Sequence, residues 1–285
     1  MMRKLLSVIY ILILILTGCE EIMDVQFEGD EKKTLVVEGQ ITTDTMAHQV
    51  VLSWTGDYFK KPPQEMVTGA NLTLTDGNKT FNLTETHPGI YHTDPDVYGE
   101  AGKNYTLHIV LPDGRTYKGT ENLRYCTDFD SIAQSDNYNH GFAGFDIYGY
   151  DLLFYGNEPE PAGDQYMFLL YLNDSLCSDT LYKQVFATDE FINGRYIRDL
   201  VTHIIAEDEF IGDSMKVTLE MRSITMEYYD YLTGLMLETV WRGTPWDGPP
   251  ANVSGNMNNG ARGYFRASDV RRKTRYFYPT PRRGK

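Results

Sequence analysis

The histidines and acidic residues of this chain are the side chains whose chemistry would suit a metal centre or acid–base catalysis. His87 and His92 are the histidines nearest to each other, and the remaining ones lie far apart. A metal centre needs three or four converging ligands, which this pair does not supply. The acidic run Glu207-Asp208-Glu209 lacks the spacing of an EF-hand. The sequence therefore predicts no metal site and no cofactor.

One short segment contains a serine, Ser214, in a setting that could make it a nucleophile. Gly212-Asp213-Ser214-Met215 resembles the nucleophile block of GDSL-type esterases. In those enzymes the serine lies near the start of an α/β domain, and an Asp-x-x-His pair lies near its end. None of the six histidines here has that setting. We interpret the segment as a turn that enters a strand at Met215, and we expect no catalytic residues and no enzyme.

Cys19 follows a short basic start and a long apolar run near the beginning of the sequence. Arg3 and Lys4 precede the apolar run Leu5–Leu16, which is shorter than the roughly 20 residues of a membrane-spanning helix and matches a secretory signal peptide. Leu16-Thr17-Gly18-Cys19 then resembles the lipobox of bacterial lipoproteins, in which cleavage before the cysteine frees a residue that carries lipid. We predict a signal peptide over residues 1–18 and lipidation of Cys19. The alternative is an ordinary signal peptide that contains a cysteine.

The two other cysteines are Cys126 and Cys177. In an oxidising envelope they can form a disulfide, and the sequence leaves both that pairing and two free thiols open. The chain has no Cys-x-x-Cys motif, so a redox or zinc-ribbon role is not expected.

Charge is distributed unevenly along the chain. The formal net charge of −14 disfavours nucleic acid as a partner. Residues 19–33 are acidic and are predicted to form a lipidated tether, which also resembles the acidic export signal of surface lipoproteins in the Bacteroidota. Residues 269–285 are strongly basic. We predict a C-terminal tail there, either solvated or docked to an acidic partner or to anionic lipid.

The hydrophobic pattern of residues 34–122 has a period of two. Alternation is clear over Thr34–Ile41 and His48–Trp54, and Asp76-Gly77 and Asp113-Gly114 are hairpin signals between further alternating runs. Short strands at this spacing predict an immunoglobulin-like antiparallel β-sandwich.

Residues 123–268 are predicted to form a second β-rich domain, so that the fold class is mainly β. Its strands include Gln165–Leu172 and Met215–Ile224. A helix is expected near 224–238, with Ser223 as its cap, because Tyr228, Leu232 and their apolar neighbours recur at three and four residues. That apolar stripe should lie on a sheet.

Aromatic side chains in irregular segments are candidates for contact with a ligand or partner. They are Tyr58, Phe59, Tyr138 and Trp246. The alternative is that these segments are only long connections between strands.

The order of several short blocks resembles one known family. The blocks that carry the resemblance include Leu35–Thr42, Val67–Ala70, Gly89–Tyr91, Pro112–Tyr117, Tyr228–Tyr231 and Pro249–Asn256. They are similar to a family of Bacteroidota outer-membrane lipoproteins, domain of unknown function 4249. The resemblance implies an outer-membrane lipoprotein, often encoded beside a TonB-dependent transporter. It carries over no functional residues, because the family has no established activity.

These observations favour a non-enzymatic accessory protein that is anchored in the outer membrane through acylated Cys19 and faces the cell exterior. It would act with a TonB-dependent transporter in ligand capture or uptake. One alternative is a surface adhesin or scaffold that binds a glycan or a protein. Another is an envelope hydrolase whose site is assembled only in the fold.

Overall fold

A computed structural model describes residues 33–56, 63–141, 147–210, 212–239 and 253–282. Residues 33–285 form one compact unit. The predicted signal peptide, Cys19 and nearly all of the predicted tether lie outside the described residues. Among those described, no helix is both long enough and apolar enough to cross a bilayer.

The described chain is built mainly from β-strands. The strands of the first half are β1 (Leu35–Thr42), β2 (Gln49–Trp54), β3 (Asn71–Thr75), β4 (Thr80–His87), β5 (Ile90–His92), β6 (Asn104–Val110), β7 (Thr116–Asn122), β8 (Ser131–Gln134) and β9 (Tyr138–Asn139). Those of the second half are β10 (Tyr148–Asn157), β11 (Gln165–Leu172), β12 (Ser175–Leu176), β13 (Val185–Thr188), β14 (Tyr196–Ala206), β15 (Met215–Ile224), β16 (Arg262–Ser268) and β17 (Val270–Phe277). The helix α1 spans Met226–Thr239, and 3-10 turns span Leu181–Lys183 and Glu207–Glu209.

The first sheet has eight strands in the order β16-β1-β2-β5-β4-β3-β6-β7. Its neighbours are antiparallel except β1 and β16, which pair in parallel. Asn256 joins the two ends of the sheet, because its side chain donates to Thr120 O in β7 at 3.2 Å and to Phe265 O in β16 at 2.7 Å. The sheet thus encloses one core, to which β1, β6 and β16 all contribute buried side chains.

Gly263 allows β16 to approach β1. Its φ is +89°, and a Cβ at this position would lie 2.0 Å from the carbonyl oxygen of Val37. Only glycine fits both the left-handed backbone and this contact. A strand from the C-terminal part of the chain therefore completes the N-terminal sheet, and the predicted boundary between residues 122 and 123 leaves that strand out.

Two smaller sheets form the second half. One has the order β14-β10-β8 with β9 beside β10, and the other has the order β12-β11-β15-β17 with β13 beside β11. A second core contains Leu152 and Phe154 from the first of these sheets and Leu170, Val217 and Leu219 from the second. The helix packs on β11 and β15 through a third cluster that includes Tyr228 and Leu232. The predicted mainly β fold with one packed helix is confirmed.

The start of the helix differs from the prediction. The cap is Thr225, whose Oγ1 accepts the backbone N–H of Tyr228 at 3.2 Å. Ser223 lies in β15 instead, where its hydroxyl donates to Arg124 O at 2.7 Å. The prediction of Ser223 as the cap was wrong because the strand continues to Ile224 and leaves Thr225 as the first residue free to cap.

The predicted basic tail is part of the fold. Residues 270–277 form β17, which pairs with β15 along its whole length. Two of its basic residues pair with acidic residues elsewhere in the chain, since Arg272 pairs with Asp44 and Glu220, and Lys273 pairs with Asp128. The prediction of a tail was therefore wrong for residues 270–277, because they form a paired strand whose basic side chains make contacts within the chain.

The two described cysteines are free thiols. Cys126 is buried and Cys177 is partly exposed. The Cys126 thiol donates to Met221 O at 3.8 Å, and the Cys177 thiol donates to Ser175 O at 3.6 Å. The possible disulfide between them does not form in this structure.

Candidate functional site

A cleft of about 560 Å³ lies between the first sheet and α1. It is lined by Val36, Glu38, Gly39, Gln40, Gln49, Val51, Tyr228, Tyr231, Leu232, Leu235, Val253, Arg262, Gly263, Tyr264 and Arg266. The volume falls within the range of about 300–1,000 Å³ found for sites that bind small molecules. The mixture of aromatic, aliphatic and a few polar side chains is also typical of such sites.

Strand alternation places the polar residues of the cleft. In β1, Leu35, Val37 and Ile41 face the core, so Glu38 and Gln40 lie on the opposite face. The register sets Glu38 beside Tyr264 and Gln40 beside Arg266 of β16. The parallel pairing of these two strands therefore brings an acid, an amide, a phenol and a guanidinium together on one surface.

Three tyrosine rings form the aromatic wall of the cleft. The ring centroids of Tyr228 and Tyr264 are 4.7 Å apart, those of Tyr231 and Tyr264 are 5.0 Å apart, and those of Tyr228 and Tyr231 are 6.0 Å apart. At these separations the rings pack on one another and form a rigid wall rather than an open cage. Burial raises the pKa of Tyr231 to about 12, so its phenol is neutral at physiological pH.

Glu121 lies behind this wall and is 6% exposed. Burial raises the pKa of its carboxyl group, and burial together with a hydrogen bond to Glu121 raises the pKa of Tyr264. The tyrosine wall is thus held in place from behind by a carboxyl group in the first sheet.

Gln40 connects the cleft to the interior. Its Oε1 accepts hydrogen bonds from Arg266 Nη2 at 2.7 Å, from Arg266 Nε at 3.2 Å and from Arg222 Nη1 at 3.0 Å. Arg266 Nη1 also donates to the hydroxyl of Tyr228 at 2.9 Å. The guanidinium of Arg266 is therefore fixed between the first sheet and the helix.

An ion network continues behind Gln40, and it is buried at Arg222 and Glu220 and partly exposed at Arg272 and Asp44. Arg222 Nε lies 2.5 Å from Glu220 Oε1, and Arg272 Nη2 lies 2.5 Å from both Glu220 Oε2 and Asp44 Oδ2. The hydrogen bonds from Arg272 hold the pKa of Asp44 below its usual value. Because Asp44 follows β1 while Glu220 and Arg272 lie in β15 and β17, this network joins the first sheet to the second half of the molecule.

Comparison with known proteins places the chain in a family. The family model "Domain of unknown function (DUF4249)" matches residues 20–274. The chain belongs to this family. No curated protein matches the DUF4249 chain. One solved structure, the two fibronectin type-III domain segment from chicken tenascin, is similar at 12% identity over 68% of this chain and 91% of that chain, with a TM-score of 0.21.

Of the four contact residues predicted for this DUF4249 chain, the structure describes Tyr138. Tyr58, Phe59 and Trp246 lie outside the described residues, as does Cys19. Tyr138 is described and lies on β9, at the edge of the second half. It is not among the residues that line the cleft.

Tyr138 belongs to a separate polar cluster. Its hydroxyl donates to Asp151, its ring centroid lies 4.2 Å from that of His140, and His140 Nε2 lies 3.7 Å from Asp151 Oδ1. Burial and the Asp151 carboxylate raise the pKa of Tyr138 to about 12. Ser135 Oγ accepts the backbone N–H of Asp151 at 2.8 Å and donates to Asp136 O at 2.9 Å. The serine is thus engaged with backbone groups, and the cluster holds β8, β9 and β10 together.

Three carboxylates of the DUF4249 chain have the spacing of metal ligands. One oxygen each of Glu158, Asp164 and Asp189 lies within 4.8 Å of the others. Burial, followed by the two neighbouring carboxylates, raises the pKa of Glu158 to about 7. Arg124 Nη2 already lies 3.1 Å from Asp164 Oδ1 and supplies part of the positive charge that three neighbouring carboxylates require. A hard divalent cation is the ion that these oxygen ligands would suit.

Sequence reasoning missed most of the cleft residues. Tyr228 and Leu232 were part of the predicted helical stripe, and the polar residues of β1 alternate with apolar ones. These two signals identify a helix face and a strand face. They do not indicate that β16 brings Arg266 and Tyr264 between them, because that pairing joins distant parts of the chain.

Proposed function

We propose that this protein is a non-enzymatic, lipid-anchored accessory protein of the outer membrane that captures a small ligand and works with a TonB-dependent transporter. The cleft between the first sheet and α1 is the observation that carries this proposal. The lipobox-like segment at Cys19 supports the anchor. The acidic residues that follow it resemble those of Bacteroidota surface lipoproteins and support display on the cell exterior.

The chemistry of the cleft favours binding over catalysis. Catalysis by acid or base needs a group that exchanges a proton with the substrate near neutral pH. Arg266 directs donors to Gln40 and Tyr228, and the pKa of Tyr231 is about 12. Glu38 is the carboxylate among the described lining residues, and no histidine, cysteine or serine lines the cleft beside it. Fixed hydrogen-bonding groups beside a rigid aromatic wall select and hold a ligand at a low entropic cost.

Lipid anchoring would make such a cleft useful to a transporter. A tethered binding protein and a membrane-embedded transporter meet at a high effective concentration, so a weak contact between them suffices for ligand transfer. The acidic residues 19–33 would give the tether reach, because like charges repel and extend a chain.

Cross-linking and affinity purification of the full chain from its native membranes test the proposed partnership. We expect an outer-membrane barrel of the TonB-dependent class to be enriched with the protein, and we expect Cys19→Ala to lose most of that enrichment because the tether no longer holds the chain beside the barrel. Quantitative mass spectrometry of the purified material measures both.

Two outcomes would contradict the proposal in different ways. If the chain from residue 34 onward binds glycans or matrix proteins and no barrel is recovered, the protein is an adhesin or scaffold. If the purified chain turns over an envelope substrate and loses that turnover on substitution of Asp151 or His140, it is a hydrolase.

A further inference from the structure

Arg266 is a partly buried cation whose partners in the described chain are neutral. Its guanidinium donates to the Gln40 amide oxygen and to the Tyr228 hydroxyl, and it lies 5.8 Å from the centroid of the Tyr228 ring. Among the described residues it forms no ion pair with a carboxylate. The other arginines of the same network do, since Arg222 pairs with Glu220 and Arg272 pairs with both Glu220 and Asp44.

The network therefore has more positive than negative charge. In the part of the chain that the structure describes, Arg222, Arg266 and Arg272 are connected through shared acceptors to two carboxylates, Glu220 and Asp44. Glu220 is fully buried, Asp44 is partly exposed on the far side of Arg272, and Arg266 lies at the end that lines the cleft. A partly desolvated charge that has only neutral partners gains most from an added counter-ion. The unmatched positive charge of the network is thus presented to the cleft.

The rest of the cleft wall suits an apolar group. Tyr231, Leu232, Leu235, Val51 and Val36 all line the same space as Arg266. A ligand that places a carboxylate at Arg266 would lay its apolar part along these side chains. The hydrogen bonds to Gln40 and Tyr228 use one N–H on each of the three guanidinium nitrogens, so among the described contacts one N–H on each Nη is left for a ligand. A pair of N–H groups of this kind matches the geometry of a carboxylate.

We infer that the cleft binds small organic carboxylates in which an apolar group adjoins the acid, with Arg266 as the residue that selects the charge. This inference rests on the proposed function of the same cleft, and it names the chemical class of the captured ligand. Glu38 lines the cleft one pleat away from Gln40 and opposes the ligand's negative charge. The two residues should therefore have opposite effects on affinity.

Calorimetric titration of the full chain with 4-phenylbutyrate and with the uncharged 4-phenylbutanamide tests the inference. We expect the acid to bind about tenfold more tightly than the amide, as charge-assisted hydrogen bonds are roughly twice as strong as neutral ones. Arg266→Gln should remove this preference, and Arg266→Lys should retain part of it because the charge remains. Glu38→Gln should strengthen binding of the acid about two- to fivefold, since it removes a like charge close to the ligand.

Arg198→Gln is the matched control, because Arg198 lies over the ring of Tyr196 on β14 and away from the cleft. The Arg198→Gln variant should prefer the acid over the amide to the same extent as the unsubstituted chain. The inference is overturned if acid and amide bind equally, if Arg266→Gln keeps the preference, if Glu38→Gln weakens binding of the acid, or if the acid does not bind. Each of these results bears on the class of ligand alone. The recovery of an outer-membrane barrel in the purification experiment remains an independent test of the proposed function.

Discussion

Replacing Glu220 with glutamine should lower the free energy of unfolding by about 3–5 kcal/mol, the cost of removing one partner from a buried ion pair. The Glu220 side chain is fully buried, and its two oxygens accept hydrogen bonds from Arg222 and Arg272 at 2.5 Å each. Glutamine keeps the size of the side chain and removes its charge. Arg222, which is also buried, would then have no carboxylate partner in this network.

Denaturant-induced unfolding followed by circular dichroism measures this effect. Glu207→Gln is the control, because Glu207 pairs with Arg282 at the surface, where removal of an ion pair changes stability by about 1 kcal/mol or less. If Glu220→Gln and Glu207→Gln have similar midpoints and slopes, the network around Glu220 does not join the two halves of the molecule as described.

Replacing Phe265 with alanine should destabilise the protein by about 3–5 kcal/mol, as for other aromatic residues truncated in a core. Phe265 is completely buried in the first core, although it lies in β16, near the C-terminal end of the chain. Its ring also contacts the position where a Cβ on Gly39 would lie. Alanine would leave a cavity where the ring packs, and it would remove contacts that hold β16 against the sheet that it completes.

Tyr276→Ala is the matched aromatic control on the next strand. Tyr276 is more than half exposed, so its removal should change stability by about 0.5 kcal/mol or less. Amide hydrogen exchange in the Phe265→Ala variant should show faster exchange in β1 and β16 than in β15 and β17. Equal protection in both pairs of strands would mean that β16 is not an integral part of the first sheet.

The hairpins were predictable from sequence because their signals are local. Asp76-Gly77 and Asp113-Gly114 lie in the turns between β3 and β4 and between β6 and β7, and both glycines have a positive φ. Positive φ favours glycine wherever it occurs, so the turn can be recognised without knowledge of the fold. The helix was also predicted within a few residues, because its apolar spacing is contained in its own segment.

The pairing of β1 with β16 could not be predicted in this way. No rule of turn or spacing connects two strands from opposite ends of a chain, and a parallel pair needs no hairpin between them. The basic residues of β17 were misinterpreted for the same reason. Their acidic partners Asp44, Asp128 and Glu220 are distant in sequence, so the local excess of positive charge suggested a free tail.

The cleft depends on these long-range pairings. Glu38 and Gln40 can be assigned to the outer face of β1 from alternation alone, and Tyr228 can be assigned to one face of the helix. Arg266 reaches them only because β16 lies beside β1 in the observed register. The residue that we propose to select the ligand is thus the one that sequence patterns could not place.

Native mass spectrometry of the full chain, purified from its own membranes in mild detergent, tests the central claim most directly. The account predicts a polypeptide that begins at Cys19 and carries covalent lipid, together with a small-molecule adduct that is lost from Leu235→Trp, in which a larger side chain fills the cleft. An unlipidated chain that starts at another residue would contradict the proposed anchor. A lipidated chain whose adducts are the same with and without the Leu235→Trp substitution would contradict the proposed capture of a ligand in the cleft.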